Sequence, residues 1–395
     1  MRRIKLGLFA KILIAIFGGV VLGTLATHCG AAGDVFVRIM KTFNMLFAQV
    51  LKFIVPLLIL GLVTPAISDV GKGAGKMLLF VVCASYVSTV VAGFFGYFCA
   101  GSLLPHYVSP GALAATGNGK EFLPFLSLKI PPICDVLTAI ALSFMVGIGI
   151  IVTGSRALKT AFDDFGAIVK LVILRIVIPG LPFYIMTMIC EMTASGRFSA
   201  CAGTMCKVIG TGWALTIAYL FVLYMFSGTV ARKNPFRCLW NMVTAYFTGL
   251  SIASSSAVIP VTLECCAKNG ISSDVRNFVV PLCANVHMPG SAIKLMTSFY
   301  AISIIYGQPF DFALVVNFVL MMAIAAVAAP GVMGGVLMAS MGLLESILGF
   351  TPEQTALMMT FYLSLDGYGP ATNVTSDGAI ALLTDRIWGA KGVRA

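Results

Sequence analysis

Long apolar runs separated by short polar connections dominate the chain, and their lengths predict membrane-crossing helices. Full-length spans fall at about 7–28, 43–67, 77–104, 134–154, 161–193 and 203–228, each near or above the ~20 residues that cross a bilayer as helix. The fifth is interrupted by Pro179-Gly180-Leu181-Pro182; proline lacks the backbone donor, so a kink is expected there. The connection over 104–129 carries Gly and Pro and is expected to be the longest external loop and the least ordered piece.

Beyond residue 230 the pattern changes. The apolar stretch 236–267 is broken midway by Ser254-Ser255-Ser256, followed by Pro260. Its arms are too short for two spans, and the serines would be costly at the centre of one. A re-entrant hairpin entering from the cytoplasm and turning inside protein rather than lipid fits better. A second such segment, 312–348, breaks at Ala325-Ala326-Val327-Ala328-Ala329-Pro330-Gly331 and is expected to enter from outside. Between them a span at about 275–305 is interrupted by His287-Met288-Pro289-Gly290-Ser291, and a final span covers about 353–388. The predicted fold is thus an all-α polytopic membrane protein of eight transmembrane helices plus two re-entrant helical hairpins of opposite sidedness.

The last span carries the candidate chemistry. At about 100° per helical residue, Asp366, Asn373 and Asp377 fall within about 40° of one another and form one polar stripe. Ionisable groups at membrane depth are expensive and mark substrate or ion pathways, although an interhelical polar contact that only holds the bundle together is the plainer alternative. Interrupted helices next to such a stripe would supply free N–H groups for a carboxylate and free carbonyls for a cation, as in secondary transporters.

Composition agrees. Of 395 residues 59% are hydrophobic and 10% charged, with a mean hydropathy of +0.99, against about a quarter charged in soluble domains. The net charge of +11 is spread over short loops rather than gathered for nucleic acid. With spans alternating from a cytoplasmic N-terminus, 16 of the 26 Lys and Arg lie inside and five outside, so both termini are expected in the cytoplasm. The apolar start is expected to be the first span rather than a cleaved signal peptide. Most of the eleven cysteines sit within apolar runs and are expected to be small buried hydrophobes. No nucleophile with a base in register points to an enzyme, and the Gly-rich stretch 330–335 lacks the strand and lysine of a phosphate loop.

Three stretches, 253–262, 281–291 and 366–377, together with the order of spans, resemble the dicarboxylate/amino acid:cation symporter family, the glutamate-transporter homologues. The resemblance implies a homotrimer in the plasma (inner) membrane, working as an elevator. The scaffold would comprise residues 1–76 and 105–200, and the transport domain residues 77–104 and 201–395. By the same resemblance, Asp366 would bind the substrate ammonium. Asn373, Ser254, Ser255 and Ser291 would surround its carboxylate, and Ala329, Met333, Gly369 and Pro370 would line the rest of the substrate site. Sodium would be coordinated at Asp377 and Asn373 with Cys283, Asn285 and His287, and at a second site by carbonyls of Ala323, Ile324 and Ala326. Hard oxygen ligands of this kind suit an alkali cation, and no other cofactor is implied.

Departures from the family pattern narrow the expectation. Gly369 stands where acidic-substrate members carry an arginine, and Ala253 where some relatives place it. A distal carboxylate would then be an unpaired buried charge, so a small neutral amino acid such as serine, threonine or alanine is expected. The alternative is a sodium- or proton-coupled glutamate, aspartate or dicarboxylate symporter that finds its countercharge elsewhere, for instance at Lys294. His287 and Pro289 replace the asparagine and aspartate that help bind a third sodium, and the third span offers Val81, Ala84 and Ser85. That site is expected to be absent, leaving one or two coupled ions. His287 is expected to fill the vacated space and hydrogen-bond there, with proton carriage the rival role. A channel is the competing function class.

Overall fold

In lipid every backbone polar group must be satisfied within the chain, and helices do this with segment-internal bonds. The described residues accordingly contain helices and no strand. The computed structural model describes residues 8–70, 76–111, 122–134, 136–327, 329, 334–363 and 367–389. The first half comprises α1 (Leu8–His28), α2 (Gly30–Val70), α3 (Lys76–Leu103) with a 3₁₀ turn at Leu104–His106, α4 (Val136–Thr153), α5 (Arg156–Val172) and α6 (Ile178–Ala194). The second half comprises α7 (Phe198–Val230), α8 (Pro235–Asn241), α9 (Val243–Ile252), α10 (Ser255–Lys268), α11 (Ser273–Val286), α12 (Pro289–Tyr306), α13 (Phe312–Val327), α14 (Gly335–Ser346), α15 (Pro352–Leu363) and α16 (Tyr368–Trp388). Among the described residues, five stretches are long and apolar enough to cross a bilayer by length and composition: Lys11–His28, Lys76–His106, Arg156–Ala194, Gly203–Val230 and Ser273–Tyr306.

Two packing groups emerge. Helices α1, α2, α4, α5 and α6 pack on one another, and α3, α7, α9, α10, α11 and α12 gather around α16. In the first group small residues let backbones touch: a Cβ added at Gly19 would lie 2.7 Å from the Met186 carbonyl oxygen, and one at Gly23 2.6 Å from that of Cys190. Such close approach is how helices associate where lipid removes the hydrophobic drive. The second group is the interior. Ser273–Tyr306 is 83% buried within its most apolar window, and most of α16, although rich in Thr, Ser, Asn and Asp, is buried.

The structure amends three expectations. The second helix is 41 residues long, beginning well before residue 43, with Pro56 and Pro65 inside it. The irregularity of the fifth span starts before its prolines, as a π-helical turn at Ile173–Val177, the kind of bulge that disturbs the regular ladder. Residues 122–134 of the external connection are pinned along α2: the Leu123 carbonyl accepts from Arg38 Nε at 2.9 Å, Phe125 N donates to Thr42 Oγ1 at 2.9 Å, and Ile130 N to Gln49 Oε1 at 3.3 Å; residues 112–121 lie outside the described residues. The last apolar segment is described as α15 up to Leu363 and α16 from Tyr368, and residues 364–366 lie outside the described residues.

Candidate functional site

Asn373 and Asp377 are four residues apart on α16, hence on one face, and both are buried. Opposite them α11 stops at Val286, and α12 restarts at Pro289. The residue before a proline disfavours the helical region, and proline fits the first helical position, so the Met288-Pro289 pair imposes this break. His287 and Met288 are non-helical there, at φ/ψ of −111°/103° and −126°/43°.

A restarted helix exposes its first N–H groups, and buried ones need partners. Asn373 supplies them from the neighbouring helix: its Oδ1 accepts from Gly290 N at 2.9 Å and Ser291 N at 3.3 Å, and its Nδ2 donates to Ser291 Oγ at 3.1 Å. The two helices come close enough because residue 290 has no side chain. A Cβ there would lie 2.5 Å from Thr372 Cβ and 2.6 Å from the Gly369 carbonyl oxygen.

His287 turns into the same interior and is wholly buried. Its Nδ1 lies 3.0 Å from Asp377 Oδ1, and its Nε2 2.9 Å from Ser88 Oγ on α3. Tyr219 OH is 2.9 Å from that hydroxyl and donates to the Ser88 carbonyl at 2.8 Å. A neutral imidazole that donates Nδ1–H to the carboxylate and accepts the serine hydroxyl at Nε2 satisfies both nitrogens. Ser376 Oγ, 3.4 Å from Nδ1, donates to the Asn373 carbonyl at 2.7 Å. The other oxygen of Asp377, Oδ2, is buried with no hydrogen-bond partner among the described residues. A buried, unpartnered carboxylate oxygen is costly unless a cation meets it, and its hardness suits Na⁺.

The sequence matches the sodium:dicarboxylate symporter family over residues 8–387. The chain belongs to this family. It is also similar to the serine/threonine transporter SstT of Streptococcus suis (strain 05ZYH33), at 27% identity over 356 residues, covering 85% of this chain and 93% of that protein. It is therefore a transporter rather than an enzyme, an all-helical multi-pass membrane protein, and Na⁺ is the family's coupling ion.

Other expected site residues are distributed around this centre. Ser254 precedes α10 and Ser255 is buried in its first turn, while Ala253 between α9 and α10 is buried and holds a left-handed conformation at φ 54°. Ala323 and Ala326 are buried near the end of α13, with Ile324 between them; the Ala326 carbonyl accepts from Ala329 N at 3.1 Å. Gly369 and Pro370 are buried at the start of α16. Cys283 is buried and its carbonyl accepts from His287 N at 2.9 Å. The carboxamide of Asn285 is exposed and reaches towards Ser256 Oγ at 3.5 Å, so it does not share the burial of Asp377. Asp366 and Met333 lie outside the described residues.

Sequence reasoning missed Ser88, Thr89, Tyr219 and Ser376. Thr89 Oγ1 accepts from Met288 N at 3.3 Å, and Ser85 Oγ is 3.7 Å from Cys283 Sγ. A signal existed: Ser85, Ser88 and Thr89 recur at helical spacing, i, i+3, i+4, on an otherwise apolar helix.

Proposed function

We propose that the protein is an elevator-type, sodium-coupled symporter that brings a small neutral amino acid, of the serine, threonine or alanine type, into the cell. The observation that carries this is the centre at Asp377: a wholly buried carboxylate with one oxygen held by His287 and the other without a partner among the described residues. Its cation is cargo as much as counter-ion, because a carboxylate at that depth is tolerable only while paired. Asn373 and the N-terminus of α12 form the corner proposed for the substrate carboxylate, whose entry would exchange the bonds by which Asn373 now satisfies Gly290 N and Ser291 N; Ser255 in the first turn of α10 would take part. Asp366, by resemblance, takes the ammonium. Ser254, Ser291, Ala329, Met333, Gly369 and Pro370 complete the substrate site, and the carbonyls of Ala323, Ile324 and Ala326 a second sodium site.

The neutral substrate is supported by Gly369. It brings no charge, and a Cβ built on it would make only ordinary contacts, 3.6 Å to Ser291 Oγ and 3.7 Å to Lys294 Cδ. The similarity to the serine/threonine transporter of S. suis agrees. Residues 1–76 and 105–200 would be the trimer-forming scaffold, and residues 77–104 and 201–395 the mobile domain. Eight spans with two re-entrant hairpins, α9–α10 and α13–α14, would place both termini in the cytoplasm of an inner membrane. The His287 side chain, buried against α3 where a third ion would need oxygen ligands, supports one or two coupled ions.

The deciding experiment is uptake of labelled amino acids by proteoliposomes with and without a sodium gradient. Serine or alanine uptake that requires the gradient is the expected outcome. Glutamate or aspartate uptake with no competition from neutral amino acids would sink the neutral-substrate reading.

A further inference from the structure

Helices α3, α7 and α16 leave a groove between them. Val87 and Val91 of α3, Val222 and Phe226 of α7 and Leu383 of α16 wall a cavity of about 490 Å³, within the size range of apolar ligand sites. The first four are more than half exposed, so the cavity opens sideways to whatever surrounds these spans. Its lining also includes Ser88 and Tyr219, but their hydroxyls bond each other, and that of Ser88 meets His287 as well. The walls therefore favour an apolar guest. At one end of the groove the chemistry changes. Lys76 lies one turn before the lining residue Phe80 on α3, Arg386 one turn after Leu383 on α16, and Arg232 two residues after Val230, where α7 ends. Spacings of four and three put Lys76 and Arg386 on the groove's side of their helices. All three cations are exposed, and none is ion-paired among the described residues. The neighbouring carboxylate, Asp385, is held instead by Ser272 at 2.7 and 3.0 Å and by Lys233 at 3.7 Å.

A basic rim at the end of an apolar groove between membrane-spanning helices is the arrangement that holds anionic lipid headgroups. A neutral apolar molecule would use the groove and leave the rim idle, and a free phosphate would do the reverse. A second protein chain would need carboxylates set against all three cations. We infer that the groove is a binding site for an anionic phospholipid, with an acyl chain lying between α3, α7 and α16 and the phosphate at Lys76, Arg232 and Arg386. In the proposed topology this end is cytoplasmic. The chain covers the hydroxyl pair of Ser88 and Tyr219, on the side away from His287.

Trp388 reports on the groove, because its ring lies 5.2 Å from that of the lining residue Phe80. With Trp213 and Trp240, the other two tryptophans, replaced by Phe, the full-length protein is reconstituted in phosphatidylcholine bilayers. Phosphatidylglycerol brominated near the glycerol end of its chains is then added in increasing proportion, and brominated phosphatidylcholine serves as the comparison. Bromine quenches tryptophan fluorescence only on close approach. Phosphatidylglycerol is expected to be preferred about a hundredfold, from about fivefold for each of three cations. Lys76→Gln, Arg232→Gln and Arg386→Gln are each expected to lower that preference about fivefold, and the three together to abolish it. Val87→Phe with Val222→Phe fills the groove and is expected to halve the quenching by either lipid. Equal quenching by the two lipids in the unsubstituted groove overturns the inference, as does a preference that survives the triple substitution or quenching that ignores the filled groove. No quenching by any lipid would mean that a second copy of the chain covers the groove, and overturns it too. Should the filled-groove protein not accumulate, the three rim substitutions, all at exposed positions, decide alone.

Discussion

At the scale of single residues, the Asp377 carboxylate divides its work between two oxygens. Oδ1 is held by His287, itself anchored by Ser88, while Oδ2 has no partner among the described residues. The division predicts different outcomes for neighbouring substitutions. Asp377→Asn keeps an oxygen for the imidazole but loses the charge, so the protein is expected to fold, reach the membrane and lose sodium-driven uptake. His287→Ala leaves the carboxylate charged but no longer oriented; partners that orient ligands from behind are worth about 10–100-fold in metal affinity, and the half-saturating sodium concentration is expected to rise by that order. Ser88→Ala removes one hydrogen bond worth about 1 kcal/mol and is expected to raise it about fivefold. Sodium titrations of uptake on the three variants distinguish these outcomes. An Asp377→Asn protein with wild-type sodium dependence would show that the buried carboxylate is structural only.

Among the elements, the broken helices were legible because proline, serine and glycine interrupt apolar runs at depths where hydrogen-bonding partners must be found. The break at His287-Met288 and the Ala253-Ser254 turn both fall where the sequence expects them. The tight seat of Gly367 ahead of α16, where a Cβ would lie 2.3 Å from the Leu250 carbonyl oxygen, was not legible, since helical phase does not say which helices meet. Contacts between α16 and the restarted α12 were equally invisible, since they depend on which helices meet. Gly290 is where that meeting is tightest. Gly290→Ala forces a Cβ to within 2.5 Å of Thr372 Cβ and 2.6 Å of a backbone oxygen, and neither can move without displacing α16. Overpacking of this kind costs about 1–3 kcal/mol. A lowered melting temperature of the purified protein is expected, together with loss of substrate protection against heat, because the Asn373 cap on α12 opens. A variant as stable as the wild type would mean that α12 and α16 are not in fixed contact.

For the whole molecule, sidedness follows from charge and helix order together, and neither suffices alone. The bias of Lys and Arg towards one set of loops orients the first spans, but two segments that enter and leave on the same side preserve that orientation only if both are re-entrant. Were the α9–α10 pair (Val243–Ile252, Ser255–Lys268) a pair of full crossings, the count of spans after it would rise by two and the charge bias would look the same, so the bias cannot count them. Were the pair a single crossing, everything after residue 268 would change sides. A residue before the pair and one after it therefore separate a single crossing from an even number. Ala157, exposed in the first turn of α5, is expected inside, and Gln308, exposed after α12, outside. In a cysteine-free background on intact cells, a membrane-impermeant maleimide is expected to label Gln308→Cys at once and Ala157→Cys only after permeabilisation. Labelling of both from the same side would mean that α9–α10 or the broken α11–α12 segment crosses differently. An ion entering between α12 and α16 would then come from the wrong side of the membrane to be driven inward by its gradient.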